Sequence, residues 1–388
     1  MTRIAAVRSA FPAHRYAQAD LTRAFAEFAQ STSGASGGAG GGFGAGARAD
    51  GGLDARRRAL LMRLFANSGV SSRHTVLPLS EYARLGAAGI SVNDLYIEEA
   101  TALGERALGA ALAASGTAPS DVDLLIVTSV TGVAVPSLDA ALIPRLGLRA
   151  DIKRLPVFGL GCVAGAAGLA RLHDYLAGWP EHTAALLAVE LCTLCLPRTS
   201  VSNADMVASA LFGDGAAAVV GKGAARADTG TAGLAGAWTE RRMMPRIVAT
   251  RSEVYPDSAD ALGWRLHADG GFRIVLSTGL ADVVEGRLGA SVTGFLADHG
   301  LTTDDIGSWI CHPGGPRVLD AAQRALKLPD AALALSRRSL AEAGNMSSVS
   351  VLHILELTAA AGAAAPGSFG LLIGLGPGVS AELVLLRW

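Results

Sequence analysis

Along the 388-residue chain the spacing of apolar and polar positions changes period repeatedly, and each change marks an element. "IEEATALGERALGAALAASG" keeps apolar residues three and four apart, which predicts a helix with one buried face. "DVDLLIVTSVTG" follows with a short continuous apolar run between turn signals, which predicts a buried strand. Next come a helix, "AGAAGLARLHDYLAG", a strand, "AALLAVELCTL", and then "SALFGDGAAAVVG". This alternation predicts an α/β fold with a largely parallel sheet covered by helices on both faces.

The second half repeats the scheme. "ADVVEGRLGASVTGFLADHG" reads as a helix, "DDIGSWICHPGG" as a strand and "GNMSSVSVLHILELTAAA" as a helix, and "SFGLLIGLGPGVSAELVLLRW" closes with two strands. A displacement of 183 residues, the separation of Cys162 and Asn345, lays the halves over each other. "PSDVDLLIVTS" then falls on "TTDDIGSWICH", and Ser129 on His312. The pattern predicts an internal duplication, with halves at 1–225 and 226–388.

Composition narrows the classes. Half of the residues are hydrophobic and the mean hydropathy is +0.36, yet no apolar run reaches the ~20 residues of a spanning helix. The first twenty residues lack the apolar core and cleavage site of a secretory signal, so a cytoplasmic protein is expected, with no membrane partner. A net charge of −1 gives no electrostatic case for nucleic acid. The segment 31–52, "STSGASGGAGGGFGAGARADGG", reads as a flexible glycine-rich insertion without catalytic role. The cysteines are Cys162, Cys192, Cys195 and Cys311, expected as thiols. Cys192 and Cys195 form a C-x-x-C without the second pair a zinc site needs, so no metal is expected.

Three residues carry candidate chemistry. Cys162, in "GLGCVAGAAG", falls where a helix begins, and its small neighbours leave room for a substrate carbonyl. The positive end of a helix favours a thiolate, as does a neighbouring imidazole; a buried structural cysteine is the other reading. His312 stands where a strand stops at "HPGG", a place suited to general acid–base work or to a plain turn. Asn345 in "GNMSS" is either a helix N-cap or an amide donor for an enolate oxygen. The duplication would bring Cys162 and Asn345 together, with His312 beside them, and the three suit acyl transfer on sulfur.

"GLGCVAGAAG", "LFGDGAAAVVG", "CHPGGPRVLD", "GNMSSVSVL" and "GLGPGVSAELVLL" together resemble the motifs of the type III polyketide synthases, the chalcone-synthase-like family on the thiolase fold. The resemblance runs from about residue 60 to the end. It implies a homodimer of five-layered αβαβα subunits that takes acyl-coenzyme A and malonyl-coenzyme A as substrates, with no bound cofactor. It also implies that Cys162 carries the acyl chain, while His312 and Asn345 hold the malonyl carbonyl during decarboxylation. The family's gating phenylalanines fall on Phe212 and Phe272, and its pocket positions on Thr131, Val135, Cys192, Cys195, Gly263 and Ser347. One coenzyme A contact falls on Arg63. Other basic positions of that patch fall on Leu60 and Asn67, which leaves an acyl-carrier protein as a second route for the starter.

The small residues at Cys192, Cys195, Val130, Thr131 and Val135 lead to an expected fatty acyl starter and an alkylpyrone or alkylresorcinol product. A tetrahydroxynaphthalene synthase using malonyl units only is the second reading, and a single-condensation β-ketoacyl synthase III a third. A C-x-x-C redox module is the alternative from another class.

Overall fold

The computed structural model describes residues 1–31, 55–82, 84–85, 91–196, 202–229, 244–266 and 272–388, so nearly all of the glycine-rich segment lies outside the described residues. The first half holds β1 (Thr2–Ala10), β2 (His14–Ala17), α1 (Gln18–Ser31), α2 (Ala55–Ala66), β3 (Ser72–Thr75), α3 (Leu79–Tyr82), α4 (Val92–Ser115) and β4 (Leu124–Thr128). It continues through α5 (Leu138–Leu146), β5 (Lys153–Val157), α6 (Ala164–Gly178), β6 (Thr183–Leu191), α7 (Asn203–Leu211) and β7 (Asp214–Lys222). After α8 (Ala224–Thr229) come β8 (Arg246–Val254), β9 (Leu262–Leu266), β10 (Phe272–Leu276), α9 (Leu280–Ala297) and β11 (Ile306–Cys311). The chain ends with α10 (Pro316–Ala325), α11 (Ala334–Ala343), α12 (Ser348–Ala361), β12 (Phe369–Gly376) and β13 (Ser380–Arg387).

Nine strands form one sheet in the order β11-β12-β13-β8-β1-β7-β6-β4-β5. Within the first half β4 pairs parallel with β6, β6 antiparallel with β7, and β7 antiparallel with β1. In the second half β11, β12, β13 and β8 repeat that series of directions. The halves join where β1 meets β8, and β5 adds a parallel edge to the first. The sheet is therefore mixed, not largely parallel. Only β4–β5, β4–β6 and β11–β12 run parallel; β7 and β13 run back antiparallel against β6 and β12.

Helices α6 and α12 touch strands of both halves and form the middle layer. Their side chains share one apolar cluster with strands from each half, including Leu169, Leu172, Val351, Leu355, Leu186 and Leu372. The two helices meet closely at their starts. A Cβ at Gly165 would lie 2.1 Å from the Ser348 carbonyl oxygen, a separation no real atom pair tolerates, so only glycine lets them meet. Helix α4 covers the outer face of the first half, and α9 with α10 that of the second, which completes five αβαβα layers. Among the described residues no helix is long and apolar enough to cross a membrane.

Candidate active site

Cys162 sits in a 3-10 turn, Gly161–Val163, that runs into α6. Gly161 has φ +55°, and a Cβ there would meet Pro377 at 2.6 Å, so the "GLGPG" turn between β12 and β13 packs directly on the cysteine turn. The thiol is buried among Cys192, Ala208, Phe212 and Ile274. His312 follows β11, and its backbone N–H donates to the Ile373 carbonyl at 2.9 Å. Its imidazole is buried, and Nδ1 has no hydrogen-bond partner.

Asn345 is fixed by its backbone. Its N–H donates to the Leu211 carbonyl at 2.8 Å, and its carbonyl accepts from Gly213 N–H at 3.0 Å, with Phe212 between these two contacts. The side-chain Oδ1 accepts from Ser347 N–H at 2.8 Å, which leaves Nδ2 as the donor end. Asn345 is thus not the helix cap: Ser347 precedes α12, at φ +50°, a left-handed conformation costly for a non-glycine residue.

Cys162, Phe212, His312 and Asn345 line a single cavity enclosing about 490 Å³ of unfilled space, part of it open to solvent. Leu262, Ile274, Leu276, Val284, Leu375 and Val379 make its walls apolar. A larger space of about 1150 Å³ adjoins it, sharing Leu211, Leu276, Leu280, Gly314 and Val318. Asn67, Asn203, Ser277, Thr278 and Arg317 give this outer chamber its polar groups.

Burial dominates the electrostatics. It pushes the Cys162 thiol up to about 12; the Ser347 hydroxyl, which faces the sulfur without reaching full hydrogen-bond geometry, opposes that shift, and the Glu190 charge adds to it. Burial also pushes His312 down to about 4. Burial thus opposes a lone thiolate at the helix start. Moving the proton from sulfur to imidazole makes a pair of opposite charges with no net buried charge.

The other expected positions divide. Cys192 touches the Cys162 cluster, but burial raises its thiol well above the usual range, which does not suit a redox pair. Cys195 Sγ donates to the Thr131 carbonyl at 3.3 Å, and the Thr131 hydroxyl donates to Glu190 Oε2 at 3.1 Å. Val135 is 91% exposed on this single chain. Gly263, in β9, faces open space, and Phe272 opens β10 with its side chain outside the described residues. Arg63 is exposed on α2, Leu60 packs half-buried in a satellite cluster, and Asn67 lines the outer chamber.

Sequence reading missed Glu190. At the end of β6 it is wholly buried, accepting from Val130 N–H at 3.0 Å, from the Ser129 and Thr131 hydroxyls, and from the Ser348 hydroxyl at 2.6 Å. It ties the start of α12 to the first half, and burial lifts its carboxyl to about 7. A single carboxylate inside the apolar run "AALLAVELCTL" was the available signal.

The chain is similar to known proteins in both sequence and fold. The family model described as chalcone and stilbene synthases matches twice, its N-terminal domain over residues 52–224 and its C-terminal domain over 246–388. A 1,3,6,8-tetrahydroxynaphthalene synthase from Streptomyces peucetius subsp. caesius is 52% identical over 388 residues, covering 100% of this chain and 93% of the relative. The alpha-pyrone synthesis polyketide synthase-like Pks18 from Mycobacterium tuberculosis is 28% identical, covering 86% of this chain and 83% of the relative. The crystal structure of the 1,3,6,8-tetrahydroxynaphthalene synthase from Streptomyces coelicolor A3(2) superposes with a TM-score of 0.83 at 28% identity, covering 100% of this chain and 99% of that one.

Proposed function

Because the chain belongs to the chalcone and stilbene synthase family, the type III polyketide synthases, we propose that it builds a hydroxylated naphthalene from malonyl-coenzyme A alone, on Cys162. The observation that carries the chemistry is the meeting of Cys162, His312, Asn345 and Phe212 in one cavity. What supports the malonyl-only starter is the 52% identity, across the whole chain, to a synthase named for tetrahydroxynaphthalene. The case for a fatty starter rests on residue type at Thr131, Val135 and Cys195 alone, and the identity across the whole chain outweighs it.

In this reading the outer chamber receives the coenzyme A arm, with Arg317 and the exposed Arg63 near its phosphates. The Cys162 proton passes to His312 as sulfur attacks the thioester carbonyl, and the coenzyme A thiol leaves with that proton. A second malonyl thioester then loses carbon dioxide. The electron pair left behind becomes an enolate, whose oxygen accepts from the imidazole N–H and from Asn345 Nδ2. The enolate carbon attacks the acyl carbonyl on Cys162, and the sulfur departs as thiolate. Repetition lengthens the chain by two carbons each time, and Phe212 separates the growing chain from the outer chamber. The assembly is a homodimer, supported by the exposed apolar Leu155, Phe158 and Leu160 on and after the edge strand β5.

Single replacements test the roles. Cys162→Ala is expected to lose condensation while still decarboxylating malonyl-coenzyme A, whereas Cys192→Ala keeps condensation. Condensation retained in Cys162→Ala would overturn the mechanism.

A further inference from the structure

Arg73, in β3, is 3% exposed, and its surroundings are unusual for a buried cation. Its Nη1 donates to the Phe212 carbonyl at 2.5 Å, its Nε has no partner, and the guanidinium lies 5.9 Å from the centre of the Phe65 ring. Asp214 is the nearest balancing charge, but its oxygens are taken by Val76 N–H and by the Thr193 N–H and hydroxyl. So Arg73 stays charged, held by one carbonyl.

That carbonyl belongs to the peptide unit joining Phe212 to Gly213. The C=O and N–H of a trans peptide point in opposite directions. One side of this unit therefore faces Arg73, while the other donates from Gly213 N–H to the Asn345 carbonyl at 3.0 Å. A cation pulling on the oxygen polarises the peptide and strengthens the bond made by its N–H. The arginine stem also runs beside Gly344, where a Cβ would lie 2.8 Å from Arg73 Cδ. The same side chain thus bears on the residue before Asn345 and on the peptide that grips it.

We infer that Arg73 is a positioning residue: through the Phe212–Gly213 peptide it sets the backbone of Asn345, and with it the amide that holds the malonyl carbonyl. The inference rests on the role given to Asn345 above. A misplacement near 1 Å at a reacting group costs about a hundredfold in rate.

The test is a double-mutant cycle on malonyl-coenzyme A decarboxylation with Arg73→Met, Asn345→Ala and the pair, read beside alkylation of Cys162 by iodoacetamide. Arg73→Met is expected to lower the decarboxylation kcat by about thirtyfold or more, with KM within threefold and Cys162 alkylation unchanged. The double variant should be no slower than Asn345→Ala alone, because both changes remove one interaction. Arg73→Lys, which keeps a charged donor, should recover at least a third of the lost activity on a logarithmic scale. It carries the same cycle if Arg73→Met does not fold. Fully additive losses, or equal losses in alkylation and decarboxylation, would overturn the inference. Asn345→Ala with undiminished decarboxylation would instead overturn the role of Asn345 itself.

Discussion

Neither Cys162 nor His312 holds a charge easily alone, because each is buried, one with its thiol pushed up to about 12 and the other with its imidazole pushed down to about 4. Transfer of the proton from Cys162 to His312 in the proposed mechanism would leave no net buried charge. In His312→Ala, alkylation of Cys162 should slow about tenfold or more at pH 7, and its pH profile should move to the alkaline side. An unmoved profile would show that the helix start alone activates the sulfur. A buried histidine also bears on stability. His353 stays neutral in the fold down to about 4, while an unfolded histidine takes its proton near 6.5. Stability is therefore lost as pH falls from 6.5 towards 4. Glu190, raised to about 7, and Asp214, raised to about 6, act with the opposite sign, losing stability as pH rises through that range. His353→Leu removes one acid-side cost, so its denaturation at pH 5, compared with pH 7, should gain about 2 kcal/mol over the parent. An unchanged difference between the two pH values would contradict this.

At the scale of elements, the contact between α6 and α12 brings the turns that carry Cys162 and Asn345 to one cavity. Gly165→Ala puts a methyl against the Ser348 carbonyl, and thermal unfolding should report a loss of about 1–3 kcal/mol together with lower condensation. A variant as stable and active as the parent would mean that the helices can part without disturbing the site. This contact was legible in the sequence, because periodicity fixed where each helix began and a constant displacement related the halves. Pairing direction was not legible. A buried strand reads as the same apolar run whether its neighbour is parallel or antiparallel, and the choice between them lies in the connections. The pocket was legible only in part. Cys162, His312, Asn345 and Phe212 stand in motifs that each half presents at its helix starts and strand ends. Residue type at Thr131 and Cys195 did not tell which way the side chains turn, nor that the threonine hydroxyl donates to Glu190. Arg73 carried no signal, for one arginine in "VSSRHTV" reads as a surface charge.

For the whole molecule, two duplicated halves close over one apolar cavity, and Leu155, Phe158 and Leu160 stand exposed on and after the edge strand β5, where the proposed second copy would sit. Phe158→Glu puts a charge on that edge and should shift the sedimentation of the protein from dimer to monomer at micromolar concentration. A dimer unaffected by the change would place the interface elsewhere. The starter is the claim on which the rest of the proposed reaction depends, and mass spectrometry of the products formed from malonyl-coenzyme A with no other acyl donor tests it most directly. The account predicts a hydroxylated naphthalene assembled wholly from malonyl carbons, and none from Cys162→Ala. Product formation only after a fatty acyl-coenzyme A is added, or a chain that stops after one condensation, would contradict it.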